Sequence, residues 1–295
     1  MRAMSTQRRV RKLPVPVQRA GQQSVLTIGR VTARLRMTPG FLICGAQRCG
    51  TTSMYRTLSQ HPDILKAVLH KGVHYFDTGY GNGPSWYRAH FPLRATARFR
   101  EHRRGVRPLT FESSPYYLFH PLAMQRIATD LRDVKIITLV RDPVERAYSA
   151  HAHELARGYE TEPFERALEL EDKRTAGEAE RIVADPTYNS HAHQHQAYFA
   201  RGRYIDQLER ISRLLGRDRL HVVDSDDFFA DPEPVWRGVI DFLGLSDAHV
   251  PVFERHNARP RSPMDESLRA SLRAAYAEDD RRLADWWGCT PSWRR

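Results

Sequence analysis

Short apolar runs separated by longer polar, helix-like segments set the plan of this chain. Residues 41–45 (Phe-Leu-Ile-Cys-Gly) are an unbroken run ending on glycine, and the pattern predicts a strand there, followed by a helix over Thr51 to Gln60. Further strands are predicted over 64–68, 108–112 and 220–224. Lys135 to Val140 is almost wholly apolar and β-branched, as expected of a strand covered on both faces in a parallel sheet. Asp142-Pro143 then opens a helix, because proline is tolerated in a first helical turn, and that helix is predicted to end near Arg157, before Gly158. Strand, loop and helix thus follow one another twice. This alternation predicts an α/β fold with a P-loop-type central parallel sheet flanked by helices, in a single domain, with its ligand at the carboxyl ends of the strands.

The rest of the pattern is more helical. Residues 160–185 are charged and helical in period, and read as a solvent-facing excursion. His191 to Leu215 carries apolar residues at helical spacing, Pro234 to Leu243 reads as a helix stopped by Gly244, and Ser262 to Asp265 reads as a capped start leading to an amphipathic helix that ends near Trp287 and Gly288.

Composition changes this picture at one end only. A hydrophobic content of 41% suffices for a substantial core, while the net charge of +11 is concentrated in residues 1–36, which hold nine basic side chains and no acidic one. The remainder carries 37 basic against 35 acidic residues. The distribution predicts a basic, solvated and flexible N-terminal tail over 1–36, preceding one domain over 37–295, and it argues against a nucleic-acid-binding body. No apolar run approaches the ~18 residues of a membrane span, and the N-terminus lacks a signal peptide's apolar stretch, so a soluble, cytoplasmic protein is expected. Three cysteines at no ligand spacing and His191, His193 and His195, with no cysteine or carboxylate pattern around them, give no reason to expect a metal.

Candidate chemistry begins at Gly45-Ala-Gln-Arg-Cys-Gly-Thr-Thr-Ser53. Glycines at 45 and 50 let the backbone curl around a phosphate, and the following helix offers its positive end to the same anion. A Walker A loop, G-x-x-x-x-G-K-[ST], would have lysine where this chain has Thr51, and here the cation sits inside the loop as Arg48. That displacement resembles the 5'-phosphosulfate loop of sulfotransferases. A second stretch, Lys135 to Ser149, resembles the 3'-phosphate motif of the same family: a strand, then Arg141-Asp-Pro, then Ser149 eight residues beyond the arginine. The resemblance spans roughly residues 39–285 and is closest to the glycan-modifying, heparan-sulfate-sulfotransferase-like and bacterial branches.

The resemblance implies a donor, 3'-phosphoadenosine 5'-phosphosulfate, and transfer of its sulfuryl group without a metal to a hydroxyl or amine of a glycan or small-molecule acceptor. It places the donor's 5' end on Gln47, Arg48, Cys49, Gly50, Thr51, Thr52 and Ser53, and its 3'-phosphate on Arg141 and Ser149. Arg201-Gly-Arg-Tyr204 is similar to a family segment that packs near the nucleotide, and Arg259 and Arg261 stand where relatives place a basic loop over the 3'-phosphate. Arg48 is then the charge sink for the leaving group, acting electrostatically because guanidinium stays protonated.

The acceptor side departs from the family. Relatives read K-E-x-H-F-F-D, with glutamate as the general base, whereas this chain reads Lys71-Gly-Val-His-Tyr-Phe-Asp77. His74 is the substitute base, being the side chain whose ordinary pKa lies near neutrality, and Glu112 is its rival. Relatives also carry E-K-T-P where this chain has Glu112-Ser-Ser-Pro115. These departures leave room for a nucleotide-binding scaffold, and the first loop alone for a P-loop kinase.

Overall fold

The computed structural model describes residues 15–254, 256 and 262–295. Five parallel strands form one sheet in the order β2-β3-β1-β4-β5: β1 Phe41–Gly45, β2 Ile64–Lys66, β3 Leu109–Ser113, β4 Lys135–Val140 and β5 Leu220–Asp224. The helices, in chain order, are α1 Val15–Val31, α2 Thr51–Leu58, α3 Pro84–Arg88, α4 Arg94–Arg104, α5 Ala123–Asp130, α6 Pro143–Leu155, α7 Phe164–Thr175, α8 Glu178–Ala184, α9 Tyr204–Leu215, α10 Ser225–Ala230, α11 Pro232–Leu243, α12 Glu266–Ala275 and α13 Ala277–Trp287. This is the α/β fold with a flanked parallel sheet that the alternating pattern predicts.

The central strands are apolar throughout because helices cover both faces of the sheet. Every residue of β1 is buried, Ile136, Ile137, Leu139 and Val140 of β4 have no exposed surface, and Phe41 stacks on Phe111 of the neighbouring strand with ring centroids 4.6 Å apart. Burying each such side chain stabilises the fold by about 1.5–3 kcal/mol, so the strands that carry the two motif loops are firmly held. Strand β1 pairs with β3 on one side and β4 on the other, and the chain fills the first side before crossing to the second. The carboxyl ends of β1 and β4 therefore flank the point where strand order reverses, which is where open α/β sheets bind ligands.

Three segments differ from the sequence expectation. The predicted tail is helical from Val15 to Val31 in its described part, and Gly29 lies so close to α3 that a Cβ there would stand 2.6 Å from the Cβ of Ala89. Arg36 then donates to the Phe91 carbonyl at 2.7 Å and the Met37 N–H to that of Pro92 at 2.8 Å. A close approach that only glycine allows leaves no apolar signature in the sequence. Residues 160–185 are helical and largely exposed as expected, in α7 and α8, but they also pack on the body: Phe164, Ala167, Glu171 and Ile182 are buried. The stretch from His191 to Leu215 is broken, because a π-helical turn over Ala192–Gln196 and a 3-10 turn over Ala200–Gly202 precede α9.

Candidate functional site

The two motif loops, more than ninety residues apart in sequence, meet in space. Since β1 and β4 are parallel neighbours, their loops leave the sheet side by side, and the Ala46 N–H donates to the Leu139 carbonyl at 2.7 Å. Arg48 takes a left-handed backbone, φ 71°, and its Nε donates to Ser149 Oγ at 3.0 Å. Gly50 follows with φ 79° at the start of α2, a conformation that favours glycine. Tyr204 ties the loops together: its hydroxyl donates to the Arg141 carbonyl at 3.0 Å and lies 3.6 Å from Cys49 Sγ. Arg141 keeps a buried Nε that has no hydrogen-bond partner among the described residues. An orphaned buried donor on a permanent cation is costly unless an anion completes it, so this position fits a phosphate.

Asp142 fixes the second loop. Its carboxylate accepts from the N–H groups of Val144 and Glu145 at 2.8 and 3.4 Å, capping α6, and Pro143 fills the first helical position. That cap holds Arg141 at the strand end and sends Ser149 back toward Arg48 about two turns later.

Around the first loop the hydroxyls divide. Thr51 and Thr52 at the start of α2 accept from Lys71 Nζ at 3.1 and 2.9 Å. Burial pushes this ammonium down to a pKa of about 7. Ser53 is fully buried and its Oγ accepts from the His256 N–H at 2.9 Å, so that hydroxyl holds the fold. Gln47 turns its amide into the protein: Nε2 donates to Glu154 Oε1 at 2.9 Å, and Oε1 accepts from Arg201 at 2.5 Å. Arg201 is buried, donates to the carbonyls of His193 and Gln194 at 2.9 and 2.6 Å, and lies over the rings of Tyr116 and Phe119 at 4.9 and 5.0 Å. Burial lowers its pKa to about 10, which leaves it cationic at neutral pH. His195 donates to Glu154 at 3.1 Å, and Tyr116 and His193 are bonded at 2.8 Å, so both histidines have structural partners.

On the acceptor side His74 also has a left-handed backbone, φ 55°, anchored by donation of its N–H to Ser114 Oγ at 3.0 Å. Its Nδ1 donates to Asp77 Oδ2 at 2.8 Å, since a carboxylate can only accept; the aspartate side chain is fully buried and that of the histidine is 45% exposed. Burial by itself would lower the imidazole pKa, but the hydrogen bond and charge of Asp77 and the charge of Glu112 outweigh it, and the net direction is up. Position 72 explains the missing glutamate sterically: a Cβ there would stand 2.7 Å from the Ser113 carbonyl oxygen and 3.3 Å from His74 Nε2. The histidine ring occupies the space into which a side chain at 72 would grow.

Glu112 has no exposed surface. It accepts from the Val73 N–H at 2.9 Å, Ser114 Oγ at 2.6 Å and Tyr117 hydroxyl at 2.7 Å, while burial pushes its carboxyl pKa up. This carboxyl braces the segment that presents His74. Ser113, in place of the family lysine, is buried as well. Arg259 and Arg261 lie outside the described residues. Sequence reasoning missed the contact of Lys71 with the loop hydroxyls and the Glu154–Gln47–Arg201 chain; the first had a signal, since Lys71 is one of only five lysines beside 41 arginines.

Comparison with known proteins places the chain in a family. The model of the sulfotransferase domain matches residues 38–259. A protein named membrane-associated sulfotransferase kil1, from Dictyostelium discoideum, is 24% identical over 86% of this chain and 66% of its own length. Human heparan sulfate glucosamine 3-O-sulfotransferase 5 is 27% identical over 72% of this chain and 55% of its own. The chain thus spans between about half and two thirds of these relatives. Among solved structures, a sulfotransferase from Alicyclobacillus acidocaldarius superposes with a TM-score of 0.65 at 33% identity, covering 88% of this chain and all of that one.

Proposed function

Because the chain belongs to the sulfotransferase family, we propose that it transfers the sulfuryl group of 3'-phosphoadenosine 5'-phosphosulfate to a hydroxyl or amine of a glycan or small-molecule acceptor, by in-line displacement. The observation that supports this reading is the Arg48–Ser149 contact at 3.0 Å, which joins the two motifs along one edge.

In this reading Gly50, Thr51 and Thr52 present the amino end of α2 to the 5'-phosphate, with the ammonium of Lys71 beside them. Ser149 and the orphaned guanidinium N–H of Arg141 receive the 3'-phosphate. Tyr204 and Cys49 hold the loops in register, and Gln47 and Ser53 serve by fixing the loop from below. The acceptor oxygen or nitrogen attacks sulfur as the bond from sulfur to the bridging phosphate oxygen breaks; the electron pair leaves with adenosine 3',5'-bisphosphate. Arg48 stabilises that charge without giving up a proton. The acceptor's proton passes to His74 Nε2, and the imidazolium so formed is stabilised through Nδ1 by Asp77. Glu112 positions this loop instead of acting as the base, since four donors occupy its carboxylate.

Transfer of label from ³⁵S-labelled donor to a panel of sugar, phenol and amine acceptors tests the proposal. Arg48→Ala is expected to lower kcat about 10²–10³-fold, the usual effect of losing one charge-stabilising donor. Equal turnover by this variant, or phosphoryl transfer from ATP–Mg²⁺ in place of sulfuryl transfer, would overturn it.

A further inference from the structure

The turn that carries the His74–Asp77 pair is gripped from two sides. Its N–H groups meet one hydroxyl: Tyr75 and Phe76 donate to Tyr117 Oη at 2.8 and 3.3 Å, and that hydroxyl donates in turn to Glu112 at 2.7 Å. Its carbonyls meet one guanidinium. Arg126 of α5, only 7% exposed, donates from Nη1 to the carbonyls of Phe76 and Asp77, both at 2.9 Å, and from Nη2 to the Pro186 carbonyl at 3.4 Å, just beyond α8. Its Cζ lies 4.4 Å from the centre of the Tyr80 ring. Taking a cation out of water is costly, and burial lowers the pKa of this one. The bonds that offset the cost go to backbone carbonyls and not to a carboxylate, so the geometry they impose is what explains the residue. In the same turn Asp77 Oδ1 accepts from the Thr78 N–H at 2.5 Å and the Thr78 hydroxyl at 3.2 Å, which leaves Oδ2 for His74 Nδ1 at 2.8 Å.

We propose that Arg126 is a positioning residue for proton transfer at His74: by fixing two successive carbonyls it holds the Asp77 backbone where Oδ2 meets Nδ1. This role rests on the reading of His74 as the base. Lysine would not replace it, because an ammonium lacks the planar fork that reaches two carbonyls of the turn and that of Pro186 together. The charged groups facing the imidazole are Asp77 and Lys71 of its own segment and Glu112 of β3, and the Tyr117 ring stands edge-on to it at 6.4 Å. Tyr116 and His120, in and beside the turn after β3, also feel the Asp77 charge. Burial holds His120 down to about 4 and pushes Tyr116 up, so neither titrates together with His74. Besides Asp77, Arg126 itself faces Tyr75, Tyr80 and Asp130.

Titration of the His74 imidazole by NMR, together with kcat/KM against pH, tests this in Arg126→Lys and Arg126→Met. In the wild type the imidazole should titrate above the ordinary 6.5. In both variants its pKa should fall toward that value, the acid limb of kcat/KM should move with it to lower pH, and kcat should drop about ten- to a hundred-fold, as for a small misplacement at a reacting centre. Affinity for adenosine 3',5'-bisphosphate should stay at the wild-type value, since Arg126 bonds to Phe76, Asp77 and Pro186 and to nothing on the nucleotide edge. Removing a cation by itself raises the pKa of a nearby imidazole, so the fall expected in Arg126→Met has the opposite sign to a charge effect. Should Arg126→Met not fold, Arg126→Lys, which keeps the charge, decides alone. A His74 pKa that is unchanged or higher in Arg126→Lys would overturn the inference, and a lower melting temperature beside it would mark a merely structural role. An acid limb that His74→Asn leaves in place would instead remove the base reading, and this role with it.

Discussion

His74 shows how much of the chemistry depends on the placing of single atoms. Its Nδ1 is committed to Asp77, so Nε2 is the atom left to take a proton, and the raised pKa makes it a stronger base that is also more easily silenced by acid. Only the neutral imidazole can accept the proton. Activity should therefore fall as pH drops through a value above the ordinary 6.5, and kcat/KM against pH locates that limb. His74→Asn should lower kcat by about 10²–10⁴-fold and abolish the limb. Asp77→Asn should instead move it to lower pH. A limb unchanged in both variants would take the base role away from this residue. Lys71 has the opposite sign. Burial holds its pKa near 7, so the ammonium is present below that pH and lost above it. Affinity for adenosine 3',5'-bisphosphate should weaken as pH rises through about 7, and calorimetry in buffers of different ionisation enthalpy should show proton uptake on binding at pH 8; Lys71→Met should lack both effects.

Among the elements, α7 is helical in its sequence pattern, but its packing role leaves no signature there. Its sequence is mostly charged, yet Glu171 on its inner face accepts from the N–H groups of Tyr198, Phe199 and Ala200 at 2.8, 2.6 and 2.8 Å, closing the irregular turns that carry Arg201. Glu171→Ala strands three donors beneath the surface and should destabilise the protein on the order of 3 kcal/mol, seen as a fall in Tm of about 5–10 °C. Nucleotide affinity should fall with it, because Arg201 braces Gln47. Strands β1 and β4 could be read in advance because burial on both faces demands an unbroken apolar run, and Asp142-Pro143 because a cap and a proline leave a local signature. A buried carboxylate that serves distant backbone, and a helix docked through Gly29, leave none. The same division runs through the site. Arg48, Arg141, Ser149 and Tyr204 lie in recognisable motifs and do converge, whereas the engagement of Ser53 by His256 depends on a contact made from far along the chain.

At the scale of the whole molecule, function depends on the sheet order. Placing β1 beside β4 brings two motif loops that are remote in sequence onto a single edge, with Tyr204 of α9 across the junction. The central claim is that this edge holds both ends of one doubly phosphorylated adenosine. Its most direct test is isothermal titration with adenosine 3',5'-bisphosphate. The account predicts one site per chain for the wild type, with affinity reduced about ten-fold or more by Arg141→Ala and by Arg48→Ala, each removing a charge-assisted contact worth ~1.5–3 kcal/mol. Adenosine 5'-monophosphate should bind weakly and respond only to the Arg48 change. Equal affinity for the two nucleotides, or indifference of bisphosphate binding to Arg141→Ala, would contradict the account.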